Sequence, residues 1–449
     1  MKTYIRLLIM IFLVVAAGCQ GANGLKQKAE EQPKPKFGPY PNIDRSRIYG
    51  MGYAVTLLRF YDGFSHQQAV EGMEIMKMLG AKTWRCWMHT QMLLNDPVTP
   101  NEEKVKVIKE YIRIAQKDDI VVIGMNHNWF NGIADPNAAG YGDDLAMPER
   151  DITPGSGYMK LLDNYRISWK TIANLFPEIS TWEVGNEWNL SMFMHPLDYL
   201  KTGGQHEFTW EEKADITIDM LWAANEGIRE VNPGATIIMP AAAPAWREDG
   251  QKIFEGREVA GLNLTSSGMP AFLYMLYERI KSGQWPSTEP DDYFDALAWH
   301  PYFQSKPIDQ KWVELNDDVY AVACYFGDEG KPVYLTEWGV SEGGYAKRIE
   351  RNAEYLVNGY KLIEEQMPYV VTMNYYRLYM DRSSEQINDP SGPALAYFGL
   401  YTEPEEGNKP RLKAIKYQEA AGGKGDLYKF TDKDLAARTE EIPTKAEDK

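Results

Sequence analysis

The sequence predicts an α/β protein built as a single (β/α)8 (TIM) barrel, and two observations lead to that prediction. From about residue 48 onward, short apolar or β-branched runs alternate with longer segments of helical periodicity, which implies parallel strands joined by right-handed crossovers. The polar residues that follow these runs would meet at the carboxyl ends of the strands, where such barrels carry their sites. The eight predicted strands are 48–55, 82–88, 120–126, 179–185, 236–241, 296–300, 333–337 and 370–376.

An open, doubly wound sheet is the alternative for alternating strands and helices. Such a sheet usually has a glycine-rich phosphate-binding turn after its first strand, and Gly50-Met-Gly52 matches that pattern only weakly. Eight strand–helix units suit a closed barrel of typical or larger size. We therefore expect the closed form.

The segments between the predicted strands carry signals for helix ends. Thr99 is the predicted N-cap of one helix, because a first-turn proline and a capping glutamate follow it. Thr209 and Glu212 have the spacing of a capping box, and the Asn-Pro-Gly sequence at 232–234 predicts the end of that helix. Residues 410–421 suit a closing eighth helix.

The amino-terminal residues predict an export signal that ends at a lipid-bearing cysteine. A basic start, an apolar run over 7–15 and the sequence Ala16-Ala-Gly-Cys19 resemble the signal of a bacterial lipoprotein. We expect removal of residues 1–18 and lipid attachment to Cys19; the alternative is an ordinary signal peptide with a cysteine there by chance. No later run reaches ~18 consecutive apolar residues.

The remaining chain divides by composition into three parts. Residues 19–38 predict a flexible tether, 39–423 the barrel, and 424–449 a charged tail. We expect an exported monomer that meets the membrane only through the lipid on Cys19. The outer membrane or cell surface is the expected location, and the periplasmic face is the alternative.

Charge and cysteine content exclude several classes of function. The chain has 48 basic and 64 acidic residues, a net charge of −16, which argues against nucleic acid or an anionic membrane as partner. Cys86 and Cys324 have the option of pairing in an oxidising compartment, although buried free thiols are commoner in so sparse a set. Neither zinc-like cysteine spacing nor a His-x-His pair occurs, so we expect no metal or other cofactor.

Two tryptophan-flanked glutamates are the most informative residues of the chain. Glu187 lies in Thr181-Trp-Glu-Val-Gly-Asn-Glu-Trp188 and Glu337 in Val333-Tyr-Leu-Thr-Glu-Trp-Gly339, each at the end of a predicted strand. Two carboxyl groups that face each other from neighbouring strand ends are the minimum equipment for cleaving a glycosidic bond. The sequence therefore predicts a glycosidase.

The surrounding motifs resemble those of the large clan of retaining (β/α)8 glycoside hydrolases, which includes families 5 and 39. The likeness covers roughly residues 45–421. Trp188 departs from the Asn-Glu-Pro sequence common in both families, which leaves the family and the substrate open. The matching motifs are Arg85 after strand two, Asn186-Glu187 after strand four, His300-Pro-Tyr302 after strand six, and Thr336-Glu-Trp-Gly339 at strand seven.

The resemblance implies that Glu187 is the acid/base and Glu337 the nucleophile. Arg85 would hold Glu337 ionised, and Tyr302 or Tyr376 would donate a hydrogen bond to it. Asn186 would bind the 2-hydroxyl of the sugar. We expect a raised pKa for Glu187, hemmed in by Trp182 and Trp188 and facing an anionic glutamate.

Further substrate contacts are expected from polar and aromatic residues at the strand ends. For His127, a sugar contact and a scaffold role are both open. For each tryptophan, including Trp246, a platform for a sugar ring and packing at the top of the barrel are both open. The full predicted set of substrate contacts is Arg85, His127, Asn128, Trp129, Asn186, Trp188, His300, Tyr302, Trp338 and Tyr376.

The predicted function is a retaining glycoside hydrolase that cleaves β-linked polysaccharide or oligosaccharide by double displacement. A non-catalytic carbohydrate-binding lipoprotein on a TIM-barrel scaffold is the alternative, and a metal-dependent barrel hydrolase is a third class. The sugar, the linkage and the endo or exo mode depend on loops, for which 128–160 and 188–212 are the expected subsite walls.

Overall fold

A ring of eight parallel strands forms the centre of the protein in the computed structural model, which describes residues 35–52, 66–244, 259–302, 307–343, 348–380 and 397–435. Seven strand–strand ladders run around the ring, and isolated bridges from Ile238 to Ala296 and from Ala242 to Trp299 link its two ends, so the barrel is nearly closed. The predicted (β/α)8 fold is confirmed. The strands are β1 (Tyr49–Gly52), β2 (Thr83–Trp87), β3 (Val121–Asn126), β4 (Thr181–Val184), β5 (Thr236–Ile238), β6 (Leu297–Ala298), β7 (Val333–Trp338) and β8 (Val370–Tyr375).

Helices pack around this ring, one after each strand position. Their apolar faces lie against the outward side chains of the strands, as the alternating pattern requires. The helices are α1 (His66–Leu79), α2 (Glu102–Lys117), α3 (Gly157–Leu175), α4 (Trp210–Val231), α5 (Met269–Lys281), α6 (Gln310–Tyr325), α7 (Ile349–Gln366) and α8 (Leu412–Ala421).

The predicted helix ends agree with the structure in α4 and differ in α2. In α4 the capping box of Thr209 and Glu212 is present, and Asn232 is the C-cap. In α2 the N-cap is Asn101, whose side chain accepts from the backbone N–H of Lys104, so the predicted cap at Thr99 is wrong. The reason is that Thr99–Pro100 pairs in a small antiparallel sheet before the helix begins.

Trp338, the last residue of β7, is fixed outside the barrel in the helix layer. Its ring lies 5.8 Å from that of Trp312 in α6 and 6.3 Å from that of Tyr360 in α7. Gly359 in α7 leaves room for this ring, because a Cβ added there would lie 2.6 Å from it. The indole therefore locks the end of β7 against α7.

Both described cysteines are free: Cys86 is buried and Cys324 is partly exposed. Burial raises the pKa of both thiols, that of Cys324 to about 11. Among the described helices, none is long and apolar enough to cross a membrane. The predicted signal peptide, Cys19 and most of the tether lie outside the described residues, as do 436–449 of the tail.

Candidate active site

Two carboxyl groups meet at the carboxyl-terminal mouth of the barrel. Glu187 follows β4 and Glu337 is the penultimate residue of β7. One oxygen of each lies within 4.8 Å of the other and of a ring nitrogen of His300. Their side chains are only 11% and 13% exposed, so both groups face a restricted space rather than open solvent.

The backbone around Glu187 turns sharply to present its side chain. Glu187 has φ +50° and Gly185 has φ +92°, both in the left-handed region. A Cβ at Gly185 would lie 2.4 Å from the ring of Trp188, so only glycine fits there. The N–H of Glu187 donates to the carbonyl of Ala241 at 2.8 Å, which ties the turn to the segment after β5. A non-glycine residue in such a conformation costs about 1–3 kcal/mol, which the surrounding contacts offset.

Glu187 is a carboxyl group with a raised pKa. Burial raises the pKa to about 7, and the nearby charge of Arg85 opposes this rise. Its Oε1 lies 2.6 Å from Nδ1 of His300, whose own pKa burial lowers to about 4. This is the expected direction, and burial, one of the two expected causes, is the largest one.

Glu337 is held by a cation and a phenol. Nη1 of Arg85 donates to its Oε2 at 3.0 Å, and the hydroxyl of Tyr302 donates to its Oε1 at 2.8 Å. Burial raises the pKa of Glu337, whereas Arg85 and Tyr302 both oppose the rise. Tyr302 thus occupies the position predicted for a phenolic donor. The hydroxyl of Tyr376 accepts from Arg377 at 3.2 Å.

Glu183, which sequence reasoning missed, is the closest partner of Arg85. Nε of Arg85 donates to Oε2 of Glu183 at 2.5 Å and Nη2 donates to Oε1 at 2.8 Å, a bidentate pair that is almost fully buried. The same Nη2 also donates to Oδ1 of Asn186 at 2.8 Å. Arg85 therefore links β4 to Glu337, and the amide oxygen of Asn186 is turned toward it.

Thr336 is a second residue that sequence reasoning did not assign. Its hydroxyl donates to Oε1 of Glu183 at 2.8 Å and also lies 3.1 Å from Nε2 of His300. His300 is fully buried, and both of its ring nitrogens are in contact with a partner, one with Thr336 and the other with Glu187. His300 therefore bridges β7 and the acid/base candidate, and its predicted contact with substrate stays a prediction.

The residues after β3 form a separate cluster. The ring of His127 lies 5.0 Å from that of His89 and 4.9 Å from that of Trp87, and its Nδ1 has no hydrogen-bond partner among the described residues. Asn128 is buried: its Oδ1 accepts from the N–H of Thr90 at 2.8 Å and its Nδ2 donates to Asp144 at 2.6 Å. The amide of Asn128 ties two loops together, and its predicted substrate contact stays a prediction.

The three described tryptophans that were predicted as sugar platforms are packed in the core. Trp129 and Trp188 are 0% exposed and Trp338 is 1% exposed, so none offers a ring face to a ligand. Trp129 donates from Nε1 to the carbonyl of Ala146 at 3.0 Å, and its ring lies 6.2 Å from that of Trp188. The prediction is wrong for these three residues because their rings pack among other buried side chains. In β7 the cause is the alternation of side chains, since the inward direction of Glu337 turns Trp338 outward. Trp246 lies outside the described residues.

Glu187, His300 and Glu337 each offer one ligand atom, and these three atoms lie within 4.8 Å of one another, so a metal ion is the alternative use of this group. The guanidinium of Arg85 contacts Glu337 directly and would repel a second cation. A carboxylate paired with a guanidinium and a second, protonated carboxyl group are suited to proton transfer and covalent chemistry.

Comparison with known proteins supports the fold. No family model matches the sequence, and no curated protein matches it. Among solved structures, GH5_18 from Streptomyces cattleya in complex with GlcNAc superposes with a TM-score of 0.54 at 16% identity, covering 84% of this chain and 80% of that one. A variant of that protein is in complex with Manβ1-4GlcNAc, with a TM-score of 0.53.

Two further structures show the same likeness. A glucosidase from Croceicoccus marinus has a TM-score of 0.52 at 13% identity, covering 88% of this chain and 73% of that one. The family 1 β-glucosidase from Thermotoga maritima also has a TM-score of 0.52, at 14% identity, covering 85% of this chain and 98% of that one. The predicted resemblance to (β/α)8 glycoside hydrolases is thus confirmed at the level of the fold, without singling out one family.

Proposed function

We propose that this protein is a retaining glycoside hydrolase that cleaves β-linked polysaccharide or oligosaccharide. The observation that carries the proposal is the approach of Glu187 and Glu337, whose oxygens lie within 4.8 Å. Carboxyl groups about 5–5.5 Å apart suit direct covalent capture of the sugar, whereas inversion needs about 6.5–9.5 Å to admit a water. The glycoside hydrolases that share the fold support the same reaction class.

In the first step, a carboxylate oxygen of Glu337 attacks the anomeric carbon while Glu187 gives its proton to the departing oxygen. The bond from the anomeric carbon to the leaving oxygen breaks, and a glycosyl ester of Glu337 forms. In the second step, ionised Glu187 takes a proton from water, whose oxygen attacks the same carbon and releases Glu337 as carboxylate. Retention follows because the carbon is inverted twice.

The electrostatic environment supports these two roles. Arg85 and Tyr302 both stabilise the ionised form of Glu337, as a nucleophile requires. The raised pKa of Glu187, about 7, keeps a large fraction of it protonated near neutral pH. The two carboxyl groups therefore differ in environment in the direction that separates an acid from a nucleophile.

For the substrate, we propose a β-glycan or its fragments, bound across the barrel mouth and the loop after β3. That loop lines a cavity of about 350 Å³, with Phe130, Asn131, Tyr141 and Asp143 in its wall. Tyr141 is 51% exposed, so its ring is accessible as an apolar surface for a sugar. The GlcNAc and Manβ1-4GlcNAc complexes of the GH5_18 protein favour including β-mannosyl substrates in a test panel.

We also propose that the mature chain is an exported lipoprotein anchored through Cys19, with a tether before the barrel. The support is the sequence of the signal, and the outer membrane or cell surface is the proposed location. Replacing Cys19 with Ser should release the protein from the membrane fraction. Retention of Cys19→Ser in that fraction, with no lipid on the wild-type cysteine by mass spectrometry, would contradict the anchor.

The enzymatic proposal is tested by activity on aryl β-glycosides and on β-mannans, xylans, β-glucans and galactans. Wild type should release sugar with retained anomeric configuration, observed by proton NMR of the first-formed product. Glu337→Gln and Glu187→Ala should each lose activity on unactivated substrates. Saturable glycan binding without any cleavage by wild type would instead favour a carbohydrate-binding protein.

A further inference from the structure

The hydroxyl of Thr336 lies between two partners but has only one hydrogen to donate. Oε1 of Glu183 is 2.8 Å away and Nε2 of His300 is 3.1 Å away. Glu183 forms the bidentate ion pair with Arg85, and an ionised carboxylate has only acceptor atoms. The hydrogen of Thr336 therefore points to Glu183.

This direction fixes the tautomer of His300. Because the hydrogen of the Thr336 hydroxyl points to Glu183, the oxygen presents a lone pair to Nε2 of the imidazole. A hydrogen bond between them therefore requires a hydrogen on Nε2. His300 is 0% exposed, and burial lowers its pKa to about 4, which leaves the ring neutral near pH 7. Its Nδ1 is then bare and is an acceptor.

The bare Nδ1 lies 2.6 Å from Oε1 of Glu187. Two lone pairs at that distance repel, whereas a carboxyl hydrogen on Glu187 would form a strong hydrogen bond to the nitrogen. Three hydrogen bonds thus form one relay: Glu187 donates to Nδ1 of His300, Nε2 of His300 donates to Thr336, and Thr336 donates to Glu183.

We propose that Thr336 is a positioning residue that fixes His300 in the Nε2–H tautomer, so that the imidazole accepts the proton of Glu187 and stabilises its acid form. The catalytic meaning of this relay rests on the proposed function, in which Glu187 is the acid/base. The relay ties that function to Glu183, a residue of the barrel interior that itself contacts neither catalytic oxygen in the described contacts.

The other charged and titratable groups that face this pair act in both directions. Arg85 in the middle of β2 favours ionised Glu187. Glu337 on β7 and Glu183 on β4 favour a protonated His300, whereas Arg85 disfavours it. Tyr302 donates to Glu337 rather than to the relay. The relay therefore opposes Arg85 by stabilising the neutral carboxyl group.

The tautomer itself is the first test and needs no substrate. The chain has six histidines, so nitrogen-15 histidine labelling gives a small set of imidazole signals, and His300→Gln identifies the pair that belongs to His300. Wild type should show a protonated Nε2 and a bare Nδ1. Thr336→Val should shift His300 toward the Nδ1–H form, and Thr336→Ser, which keeps the hydroxyl, should retain the wild-type pattern. A wild-type His300 protonated at Nδ1 alone would overturn the proposal, even if Thr336→Val fails to fold.

The second test is the pH profile of kcat/KM on an aryl β-glycoside. In Thr336→Val, Nδ1–H would donate to the carboxylate of Glu187, so the basic limb should move to lower pH by about one unit, and Thr336→Ser should keep the wild-type limb. Loss of activity at all pH values without movement of the limb would show a merely structural role and contradict the relay. Absence of glycosidase activity in wild type would remove the proposed function while leaving the tautomer measurement valid.

Discussion

At each end of the barrel, a tyrosine hydroxyl donates a hydrogen bond to a buried carboxyl group, but the surroundings of the two pairs differ. At the carboxyl-terminal mouth, the hydroxyl of Tyr302 donates to Glu337 at 2.8 Å. Toward the amino-terminal end of β8, the hydroxyl of Tyr369 donates to Asp317 at 2.9 Å. Burial raises the pKa of both carboxyl groups, that of Asp317 to about 6.

What differs is the set of neighbours. Glu337 has Arg85 at 3.0 Å and the second carboxyl group of Glu187 close by. The ring of Tyr369 is instead stacked on that of Tyr320 at 4.1 Å, with Phe37 packed against both. Charged neighbours alone do not mark a reactive site, because Lys36, Asp318 and Glu314 also act on the pKa of Asp317. The mouth is distinguished by a cation hydrogen-bonded to Glu337 and by a second carboxyl oxygen within 4.8 Å of it.

The largest expected effect is on kcat, and it should distinguish Glu337 from Asp317. Glu337→Gln should lower kcat by a factor on the order of 10⁴ or more, because the amide keeps the shape but removes the nucleophile. Asp317→Asn, the matched change at the other end, should leave kcat within about twofold and alter thermal stability only. Comparable losses of kcat in both variants would break the comparison.

Glu187→Ala should lower kcat by about 10²–10⁴-fold on substrates with poor leaving groups. The loss should be much smaller on aryl glycosides whose leaving group needs no proton, since formation of the glycosyl ester then proceeds without the acid. Added azide should restore turnover and yield a β-glycosyl azide by mass spectrometry and NMR. Equal losses on both kinds of substrate, with no rescue, would argue against an acid/base role.

The two tyrosines provide a matched pair of single-atom changes. Tyr302→Phe removes a hydrogen bond that stabilises ionised Glu337, so the pKa of Glu337 should rise and the acidic limb of kcat/KM should move to higher pH. Tyr369→Phe should leave the pH profile unchanged and lower the free energy of unfolding by about 1–3 kcal/mol, because buried Asp317 loses a donor. Denaturant unfolding and pH–rate profiles of both variants check this contrast.

The smallest effect is the pH dependence of the unmodified protein. Glu187 must be protonated to act as acid, so kcat/KM should fall as pH rises through the pKa of about 7. Glu337 must be ionised, and its raised pKa places the acidic limb above the usual range of a glutamate. A profile that stays flat from pH 6 to pH 9 would contradict the assigned roles.

The residues that sequence patterns predicted well are those at the ends of strands. The barrel, the pair of glutamates and the contacts of Glu337 with Arg85 and Tyr302 were predicted from the strand pattern and the motifs. The contact of His300 with Glu187 was not predicted. The strand pattern is informative because the carboxyl ends of parallel strands converge at one edge, so sequence position fixes spatial position.

The alternation of side chains along a strand explains both the error at Trp338 and the missed residue Glu183. In β7 the inward direction of Glu337 requires that Trp338 point outward, which excludes it as a sugar platform. The same alternation puts Glu183 inside the barrel, between the outward Trp182 and Val184. A charged residue in the middle of an apolar strand was the available signal for Glu183. No sequence pattern could predict where the hydroxyl hydrogen of Thr336 points, because this depends on Glu183 and His300, which come from other parts of the chain.

Gly359 in α7 lies against the indole of Trp338, so a substitution in the helix layer would act on the residue next to Glu337. In the interior of a helix, replacing glycine with alanine normally stabilises the helix by about 1 kcal/mol. At this position the added methyl carbon would meet the indole of Trp338 at 2.6 Å and press on the residue next to Glu337. A change that strengthens α7 in isolation should thus misalign the reacting oxygen, so attempts to rigidify this enzyme candidate by filling helical glycines should spare residue 359.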